Sequence, residues 1–264
     1  MRDRQQTVIR SRDNPRFKAL HRLATSARER RRQGLTLLDG MHLIAAYRAS
    51  GAMPEQLVLS ESGAGNAEAG RLAAGECAQG MLLLADPLFR DIAQVATPTG
   101  ILAMIRTPTP GPLPAVIERC VMLECIQDAG NLGSILRSTA AAGISNVLLS
   151  HGCAYAWSPK VLRAGMGAHF SLDLFDDIDL AAAVSRLKGK LICTSSHARK
   201  SLYQADLRGP IAWVFGNEGS GVSTALNAAA TEQVRIPMPG ETESLNVAAA
   251  VAICLFEQVR QRAG

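Results

Sequence analysis

The strongest constraint on the fold is the alternation of short apolar runs with helical segments in the second half of the sequence. Strands are predicted at 121–126, 147–150, 191–194 and 211–215, and helices at 132–142 and 244–262. Continuous apolar strands that alternate with helices are typical of a parallel sheet, because such strands are buried on both of their faces. The pattern therefore predicts an α/β domain over residues 115–264, with helices on both faces of its sheet.

The first part of the chain predicts a second, smaller α/β domain at residues 1–106. Helices are expected over 14–32 and 41–49, strands over 35–39 and 56–60, and a loop that leads into a helix around 63–70. Residues 107–114 hold four prolines in eight positions, and such a run favours an extended, semi-stiff connector. We therefore place a linker at 107–114 between the two domains.

Charge is distributed unevenly along the chain. Residues 1–32 contain 11 Lys and Arg against three acidic residues, a net of +8, whereas the rest carries 17 basic against 20 acidic residues, a net of −3. A basic arm on a nearly neutral body is typical of a nucleic-acid binder, although a solvated, arginine-rich helix face has the same composition. The candidates for nucleic-acid contact are Arg12, Arg16, Lys18, Arg28, Arg30, Arg31 and Arg32.

Several protein classes are not favoured by the sequence. The most apolar stretch, residues 247–256, is about half of the roughly 20 residues that a bilayer crossing needs. The basic N-terminus runs into polar residues rather than the apolar segment of a signal peptide, so a cytoplasmic location is expected. Neither GxxxxGK[ST] nor a GxGxxG that follows a strand occurs, which argues against an ordinary nucleotide-binding site.

Six cysteines occur without a CxxC pair, and most of them lie within apolar runs. They are Cys77, Cys120, Cys125, Cys153, Cys193 and Cys254. Buried free thiols are therefore expected. His151 and Cys153 have the spacing of the start of a metal site, but nothing near them completes a ligand set, so we expect no metal.

Three polar, glycine-rich segments follow predicted strands, the place where parallel sheets bind ligands. In the first segment, 127–137, Gly130 and Gly133 allow a close approach of the backbone, and Arg137 lies near Gly133 on the same side of the helix. If that helix starts near Asn131, its free N–H groups can meet a phosphate. The alternative is an N-capping Asn131 followed by a surface Arg137.

The second segment, 215–221, surrounds the carboxylate of Glu218 with three glycines. Side-chain bulk in such a tight loop would block a ligand, so the glycines favour a binding site. An ordinary turn with Ser223 as the cap of the next helix is the alternative.

The third segment, 236–248, joins a strand to the last helix. Ser244 is predicted to cap that helix, with Ser244 and Asn246 facing outward in its first turn and Leu245 packed inward. A plain capped helix explains Ser244 but not the whole segment.

In this order the three segments resemble the signature motifs of the SpoU/TrmH family of RNA ribose methyltransferases. The motifs look like residues 131–137, 215–219, and 236–238 with 244–248. The resemblance covers about residues 118–262, and residues 11–40 look like the family's L30e-like RNA-binding extension. The family usually has Pro where Ala129 stands and often an acidic residue near Ala140, and neither departure removes a reactive side chain.

The resemblance implies that the C-terminal segment of the parallel sheet threads a loop as a trefoil knot, a rare exception among folds. The knot would hold S-adenosylmethionine, largely through backbone groups. The positions implied for this cofactor are Thr194, Ser195, Gly216, Ile236, Met238 and Leu245. The family also implies a homodimer with residues of both subunits near each active site.

The implied reaction is methyl transfer to a ribose 2′-hydroxyl in structured RNA, without a metal. Arg137 would lie at the hydroxyl, either taking its proton or orienting it for a phosphate. Asn131 and Glu218 would hold Arg137 and the target nucleotide, and Ser244 and Asn246 would complete the pocket. Ribosomal RNA is favoured over transfer RNA, because the arm and the L30e-like domain resemble the ribosomal branch.

A non-catalytic RNA-binding or ribosome-assembly protein with a methyltransferase-like domain is the alternative from another class. Such a protein is expected to lack the counterparts of Arg137, Asn131 or Asn246, and all three are present.

Overall fold

The computed structural model describes residues 7–73, 79–93, 95 and 97–263, which form two compact units. Unit 1 contains the described residues up to Pro108 together with Trp157–Phe170, and unit 2 contains Thr109–Ala156 and the described residues from Ser171 onward. Cys77, which we expected to be a buried thiol, lies outside the described residues.

Helices and strands are interspersed along both units. The α-helices are α1 (Pro15–Thr25), α2 (Ala27–Gln33), α3 (Met41–Ala49), α4 (Glu61–Ala64), α5 (Ala67–Ala73), α6 (Asp86–Ala93), α7 (Ala129–Ala141), α8 (Pro159–Gly165), α9 (Leu180–Ala183), α10 (Thr224–Ala229) and α11 (Val247–Ala263). The strands are β1 (Leu35–Asp39), β2 (Gln56–Ser60), β3 (Met81–Leu84), β4 (Ile101–Arg106), β5 (Cys120–Leu123), β6 (Asn146–Leu149), β7 (Asp173–Phe175), β8 (Lys190–Thr194), β9 (Lys200–Ser201), β10 (Ile211–Phe215) and β11 (Glu232–Arg235). Short 3₁₀ turns occur at Ala168–Ser171, Val184–Arg186 and Leu202–Gln204.

Unit 1 is built on a four-stranded sheet in the order β1–β4–β2–β3. Strand β4 is antiparallel to both β1 and β2, whereas β2 and β3 are parallel. Phe17 and Leu20 of α1 and Phe89 of α6 pack with Val58 of β2 in one core, and none of them is more than 4% exposed. The amphipathic faces of α1 and α6 are thus buried against the sheet.

Trp157–Phe170 belongs to unit 1, although this segment lies beyond the proline-rich linker in the sequence. The hydroxyl of Thr36 in β1 donates to the carbonyl oxygen of Trp157 at 2.7 Å. The Trp157 ring packs against the ring of His169 with centroids 5.2 Å apart, and Tyr47 packs against Phe170 at 5.1 Å. The contacts of Thr36 and Tyr47 join residues more than 100 positions apart, which explains why local sequence patterns did not predict them.

The single helix predicted over 14–32 is wrong, because Ser26 divides it into α1 and α2. Ser26 has an extended backbone, and its hydroxyl accepts a hydrogen bond at 3.2 Å from an N–H in the first turn of α2. The guanidinium of Arg30 turns back across the break and donates to the carbonyl oxygens of Leu23 and Ala24 at 2.6 and 3.0 Å. Arg30 therefore links the end of α1 to α2.

Unit 2 is built on a seven-stranded sheet in the order β7–β6–β5–β10–β8–β11–β9, and each of these pairings is parallel. On one face Val214 packs with Leu180 of α9 and Leu226 of α10. The next residue back, Trp213, points to the opposite face, where its indole N–H donates to Gln258 of α11 at 2.8 Å. The parallel α/β sheet predicted from the sequence is confirmed.

Strand order marks the position of a ligand site in unit 2. From β5 the chain continues to β6 and β7 on one side, whereas β10, β8, β11 and β9 lie on the other side of β5. Open α/β sheets bind ligands at the carboxyl ends of strands where the order reverses. The carboxyl ends of β5 and β10 are such a point, and the three motif segments lie at this edge or close to it.

Helix α7 begins at Ala129, three residues before the predicted start. The carboxylate of Asp128 accepts the N–H of Asn131 at 2.8 Å and caps the helix. The expectation that Asn131 caps this helix is therefore wrong. The expectation that its N–H is free to bind a phosphate is wrong as well, because that N–H donates to the negatively charged carboxylate of Asp128.

Helix α11 begins at Val247, three residues after the predicted start. The cap is Asn246, whose Oδ1 accepts the N–H groups of Ala248 and Ala249 at 2.9 and 3.3 Å. Ser244 is therefore not the cap of this helix. Leu245 is 39% exposed, so the prediction that it packs inward is wrong as well.

Three of the cysteines have the state that the sequence predicted. Cys120, Cys193 and Cys254 are buried free thiols, and burial raises the pKa of each to about 12. Cys125 and Cys153 are free as well but only half-buried. Among the helices of the described residues, none has the length and apolar character that a membrane crossing requires.

Candidate active site

A pocket of about 520 Å³ opens at the carboxyl ends of β8, β10 and β11. Its lining includes every residue that the family resemblance implied for the methyl donor. These are Thr194, Ser195, Gly216, Ile236, Met238 and Leu245. It also includes four of the five residues implied for the reaction, and these are Asn131, Glu218, Ser244 and Asn246. The fold therefore brings three distant sequence segments to one cavity.

Three polar side chains of the pocket form a hydrogen-bonded chain. Asn246 Nδ2 donates to Asn131 Oδ1 at 2.8 Å, and Asn131 Nδ2 donates to Glu218 Oε1 at 3.1 Å. These hydrogen bonds join the cap of α11, the first turn of α7 and the loop after β10. Because a carboxylate only accepts hydrogen bonds, Glu218 orients the Asn131 side chain with its NH₂ group toward the carboxylate. The amide oxygen of Asn131 then faces Asn246 and accepts its hydrogen bond.

The carboxylate of Glu218 is held in its ionised form. Burial acts to raise the pKa of Glu218, but the hydrogen bond from Asn131 and the backbone N–H groups of Glu218, Gln127 and Asp128 together outweigh it. The pKa of Glu218 therefore lies below its ordinary value. At neutral pH the loop after β10 presents a negative charge at the edge of the pocket.

Asn217 shapes the same loop, and it was not among the site residues predicted from the sequence. Its Nδ2 donates to the carbonyl oxygen of Cys125 at 2.9 Å, and its Oδ1 accepts the N–H of Gly219 at 2.9 Å. Gly216 has no room for a side chain, because a Cβ there would lie 2.1 Å from the backbone of Gly221. The available signal was an Asn that follows a glycine in a glycine-rich loop, since Asn side chains commonly bond to the backbone two residues ahead.

Arg137 is the one implied catalytic residue that does not line the pocket. It is exposed on α7, six residues beyond Asn131, a distance of about 9 Å along the helix axis. Within the part of the chain that the structure describes, its guanidinium makes no hydrogen bond or ion pair. Its donors are thus available to a molecule bound outside the cavity.

The basic residues proposed for nucleic-acid contact lie on or beside α1 and α2, and all but one are exposed. The exposed ones are Arg12, Arg16, Lys18, Arg28, Arg31 and Arg32. Arg12 pairs with Asp91 at 2.7 Å, and Lys18 pairs with Asp13 at 2.8 Å. Arg30 is only 5% exposed, and its guanidinium is used on backbone carbonyls of α1. The interpretation of Arg30 as a nucleic-acid contact is therefore wrong.

The residues considered for a metal site have other contacts. His151 Nδ1 lies 2.9 Å from Asp177 Oδ1, and Cys153 Sγ donates to the carbonyl oxygen of Leu123 at 3.3 Å. Across the described ranges, no group of three or more His, Cys, Asp or Glu side chains has the arrangement of a metal site.

The lining of the pocket fits S-adenosylmethionine. Its volume lies within the range of about 300–1,000 Å³ that is usual for small-molecule sites. Ile236 and Met238 supply apolar surface for a purine ring, and Thr194 and Ser195 supply hydroxyl and backbone groups for polar atoms. The ionised carboxylate of Glu218 lies at the edge and favours a ligand that carries positive charge, as a sulfonium does.

Two family models match the chain. The model described as the SpoU rRNA Methylase family matches residues 118–256, and the MRM3-like substrate binding domain matches residues 14–103. The two matches together account for most of both units.

Relatives match either nearly all of the chain or about half of it. An uncharacterized tRNA/rRNA methyltransferase of Synechocystis sp. is 32% identical over 96% of this chain and 94% of the relative. The 23S rRNA (guanosine(2553)-2′-O)-methyltransferase RlmP of Bacillus subtilis is 30% identical over 94% of this chain and 97% of the relative. The 23S rRNA (guanosine-2′-O-)-methyltransferase RlmB of Bordetella pertussis is 37% identical, over 54% of this chain and 60% of the relative.

Several solved structures match over nearly the whole chain. A crystal structure of an RNA 2′-O ribose methyltransferase has a TM-score of 0.83 and 31% identity, and the match covers 98% of this chain and 100% of that one. The SpoU methyltransferase AviRb from Streptomyces viridochromogenes, in complex with the cofactor AdoMet, has a TM-score of 0.80 and 25% identity over 95% of this chain and 99% of that one. The chain belongs to the SpoU rRNA methylase family.

Proposed function

We propose that this protein transfers a methyl group from S-adenosylmethionine to the 2′-hydroxyl of a ribose in ribosomal RNA. The observation that carries the proposal is the convergence of three motifs on one pocket, joined by the chain from Asn246 through Asn131 to Glu218. Two relatives are named as 23S rRNA 2′-O-methyltransferases, and a similar structure contains AdoMet.

The proposed donor site uses the apolar and polar parts of the pocket separately. S-adenosylmethionine, when bound, supplies an activated methyl group on a sulfonium. Ile236, Met238 and Leu245 pack against its apolar surface, while Thr194 and Ser195 bind its polar atoms. Gly216 keeps the loop after β10 close to the ligand, because its backbone packs directly on Gly221. These residues bind and orient the donor and exclude water from it.

The proposed acceptor site lies between the pocket and Arg137. A ribose hydroxyl is a poor nucleophile, so it must be aligned with the methyl group and must lose a proton. A guanidinium only donates hydrogen bonds, so we assign Arg137 the positioning of the hydroxyl and of a neighbouring phosphate, whose oxygen accepts the proton. Asn131 and Glu218 orient the nucleotide from the pocket side, and Ser244 closes the pocket beside the donor.

The proposed division of labour follows the domains predicted from the sequence. Residues 1–106 form an L30e-like RNA-binding domain, residues 107–114 a linker and residues 115–264 the methyltransferase domain, except that Trp157–Phe170 packs with the first domain. The match of residues 14–103 to a substrate binding domain supports the first assignment. The exposed basic residues on α1 and α2 add a surface that suits RNA phosphates.

Three further properties belong to the proposal, namely a trefoil knot, a homodimer and a cytoplasmic location. The path of the chain supports the knot, because after β11 it returns past the ends of β8 and β10 to α11, whose cap bonds to α7. Phe256 and Val259 support the homodimer, since they leave apolar surface on α11 with exposures of 48% and 36%.

The proposed function is tested by methyl transfer with the purified full chain. Ribosomal RNA that lacks the modification is incubated with S-adenosylmethionine tritiated on its methyl group and is then digested to nucleosides. We expect the label in a 2′-O-methylnucleoside. In the undigested RNA, the phosphodiester next to the methylated ribose should resist alkaline cleavage. Label in a base, or label only with transfer RNA as the substrate, would overturn the proposal.

A further inference from the structure

Unit 1 contains a second pocket, of about 730 Å³, which the proposed methyl transfer does not use. It lies between the end of β1, the start of α3, the end of α5 and helix α8. Because all of these elements belong to unit 1, the pocket is complete within that unit.

Asp39 and Arg163 face each other in this pocket without forming a hydrogen bond. Arg163 Nη1 lies 3.9 Å from Asp39 Oδ2, and within the described part of the chain neither atom has a hydrogen-bond partner although both are shielded from solvent. The Asp39 side chain is only 8% exposed. Buried polar groups are nearly always hydrogen-bonded, so this unsatisfied pair beside a cavity is suited to bind the polar atoms of a ligand.

The start of α3 adds further donors to the same wall. The cap residue Gly40 has a φ of +97°, and no side chain caps the nine-residue helix within the described residues. Free N–H groups at a helix start favour an acceptor atom of a ligand. Gly40, Met41, His42 and Leu43 all line the pocket, so the first turn of α3 is open to it.

Part of the remaining lining is apolar and suits a flat ring, although Glu68, Arg71 and Thr99 line the pocket as well. Leu43, Leu72 and Met41 line the cavity. Met166 lies at the pocket as well, and it is 44% exposed with a left-handed backbone of φ +49°. Exposed methionine next to a cavity is a common feature of adaptable binding surfaces. The pocket thus offers apolar surface for a ring beside the polar pair of Asp39 and Arg163.

We propose that this pocket binds a single unpaired guanine base through Asp39 and Arg163. A carboxylate only accepts and a guanidinium only donates hydrogen bonds. The Watson–Crick edge of guanine carries two neighbouring N–H donor groups for Asp39 and, beside them, the O6 acceptor for Arg163 and the start of α3. Adenine and cytosine offer one donor group on that edge, and uracil offers a single N–H between two acceptors, so none of them matches the pair equally well.

The guanine comes from RNA or from a free guanosine nucleotide, and recognition of the base edge is the same in both. Extruded bases of RNA are commonly read by hydrogen bonds to this edge and by packing of the ring. The RNA source rests on the proposed function, whereas the pocket chemistry does not. Burial raises the pKa of Asp39 to about 6 although Arg163 opposes the shift, so binding is measured at pH 8, where the carboxylate is ionised.

The test is calorimetric titration of the full chain with two kinds of probe. The first kind is the four nucleoside monophosphates, and the second is a six-nucleotide uridine RNA with or without one guanosine. We expect at least one kind of probe to bind with about tenfold or more higher affinity when its base is guanine than when it is another base. This is the usual discrimination of a good bidentate contact. The kind that shows the preference identifies the source.

Two variants separate recognition from structure. Asp39→Asn should lower guanine affinity by about tenfold to a hundredfold and raise adenine affinity relative to guanine, because an amide pairs with the donor and acceptor of adenine. Asp206→Asn, an exposed carboxylate of unit 2 that pairs with Arg208, is the matched control and should keep the wild-type preference. A structural role for Asp39 alone would not exchange one base for another.

The proposal is overturned if no probe shows a guanine preference, or if Asp39→Asn keeps that preference. Methyl transfer to ribosomal RNA is measured with the same wild-type preparation. Guanine binding without methyl transfer would contradict the proposed function and leave the pocket assignment in place, whereas methyl transfer without guanine binding would contradict only the pocket assignment.

Discussion

Arg137 is the residue on which the proposed chemistry depends most, because it alone of the five implied catalytic residues lies outside the pocket. We expect Arg137→Ala to lower turnover by about two to four orders of magnitude, the usual scale for a group that assists proton transfer. Arg137→Lys should fail as well, since an ammonium cannot reproduce the planar fork of a guanidinium. Single-turnover methylation with a tritiated donor measures both effects.

Donor binding provides the control for Arg137. Calorimetry should give Arg137→Ala the donor affinity of the wild type, because the lining of the pocket is unchanged. Arg208→Ala removes another exposed arginine of unit 2, one that pairs with Asp206, and should keep normal turnover. Full activity of Arg137→Ala would remove this residue from the mechanism and leave the donor pocket in place.

Asn246 has two tasks that substitutions can separate. Its Oδ1 caps α11, and its Nδ2 donates to Asn131. Asn246→Asp keeps the capping oxygen but removes the donor, so we expect the free energy of unfolding to stay within about 0.5 kcal/mol while turnover falls about tenfold or more. Asn246→Ala also removes the cap, which costs about 1 kcal/mol of stability.

Urea denaturation and methylation assays of both Asn246 variants distinguish these effects. Normal turnover in Asn246→Asp would mean that the hydrogen bond from Asn246 to Asn131 is not needed for the reaction. Equal stability of the Ala variant and the wild type would contradict the capping role.

Asp39 should make the stability of unit 1 depend on pH. Burial raises its pKa in the folded state from 3.8 to about 6, so the folded state binds a proton more tightly than the unfolded state. The resulting decrease in stability is absent below about pH 4 and complete above about pH 6, where it reaches up to about 3 kcal/mol. Asp39→Asn removes this effect and should therefore stabilise the protein at pH 8 relative to the wild type.

Urea denaturation of the wild type and Asp39→Asn at pH 4 and pH 8 tests this sign. The variant should gain relative stability only at the higher pH. An equal difference at both values would mean that the Asp39 carboxyl titrates normally in the folded protein.

At the scale of elements, the sequence predicted strands better than helix ends. The bounds of β1, β2 and β10 match the apolar runs, because a buried strand needs little more than a continuous apolar stretch. The starts of α7 and α11 depended on which polar side chain became the cap, and both Asp128 and Asn246 compete with nearby candidates of similar propensity. That choice is made by tertiary contacts such as the bond from Asn246 to Asn131.

The break between α1 and α2 predicts unequal roles for neighbouring arginines. Arg30 donates to two backbone carbonyls while buried, so Arg30→Ala should cost about 1.5–3 kcal/mol of stability. Arg28→Ala, on the exposed face of α2, should change stability by no more than about 0.5 kcal/mol. Thermal or chemical denaturation compares the two.

For RNA binding we expect the exposed arginines of α2 to matter more than the buried Arg30. Replacing exposed Arg28, Arg31 and Arg32 together should flatten the slope of log affinity against log salt by up to about three units, one for each phosphate that these side chains no longer neutralise. Arg30→Ala, measured under conditions where it is folded, should leave that slope unchanged. An unaltered slope in the triple variant would mean that α2 is only a solvated basic helix.

At the scale of the whole molecule, the family and the pocket were predictable because the three motifs each follow a strand of one parallel sheet. The assignment of Trp157–Phe170 to unit 1 was not, since it depends on contacts such as that between Thr36 and Trp157 across 121 positions. The second pocket was not predictable for the same reason, because Asp39 and Arg163 meet only in the folded chain.

The most direct test of the central claim is a map of 2′-O-methylation in ribosomal RNA from cells with and without this protein. We predict that one ribose position, or a small set, loses its methyl group when the protein is absent and regains it when the wild type is restored. Expression of the Arg137→Ala variant in the cells that lack the protein should not return the methyl group. An identical map of ribosomal RNA in the two kinds of cells would contradict the proposed function.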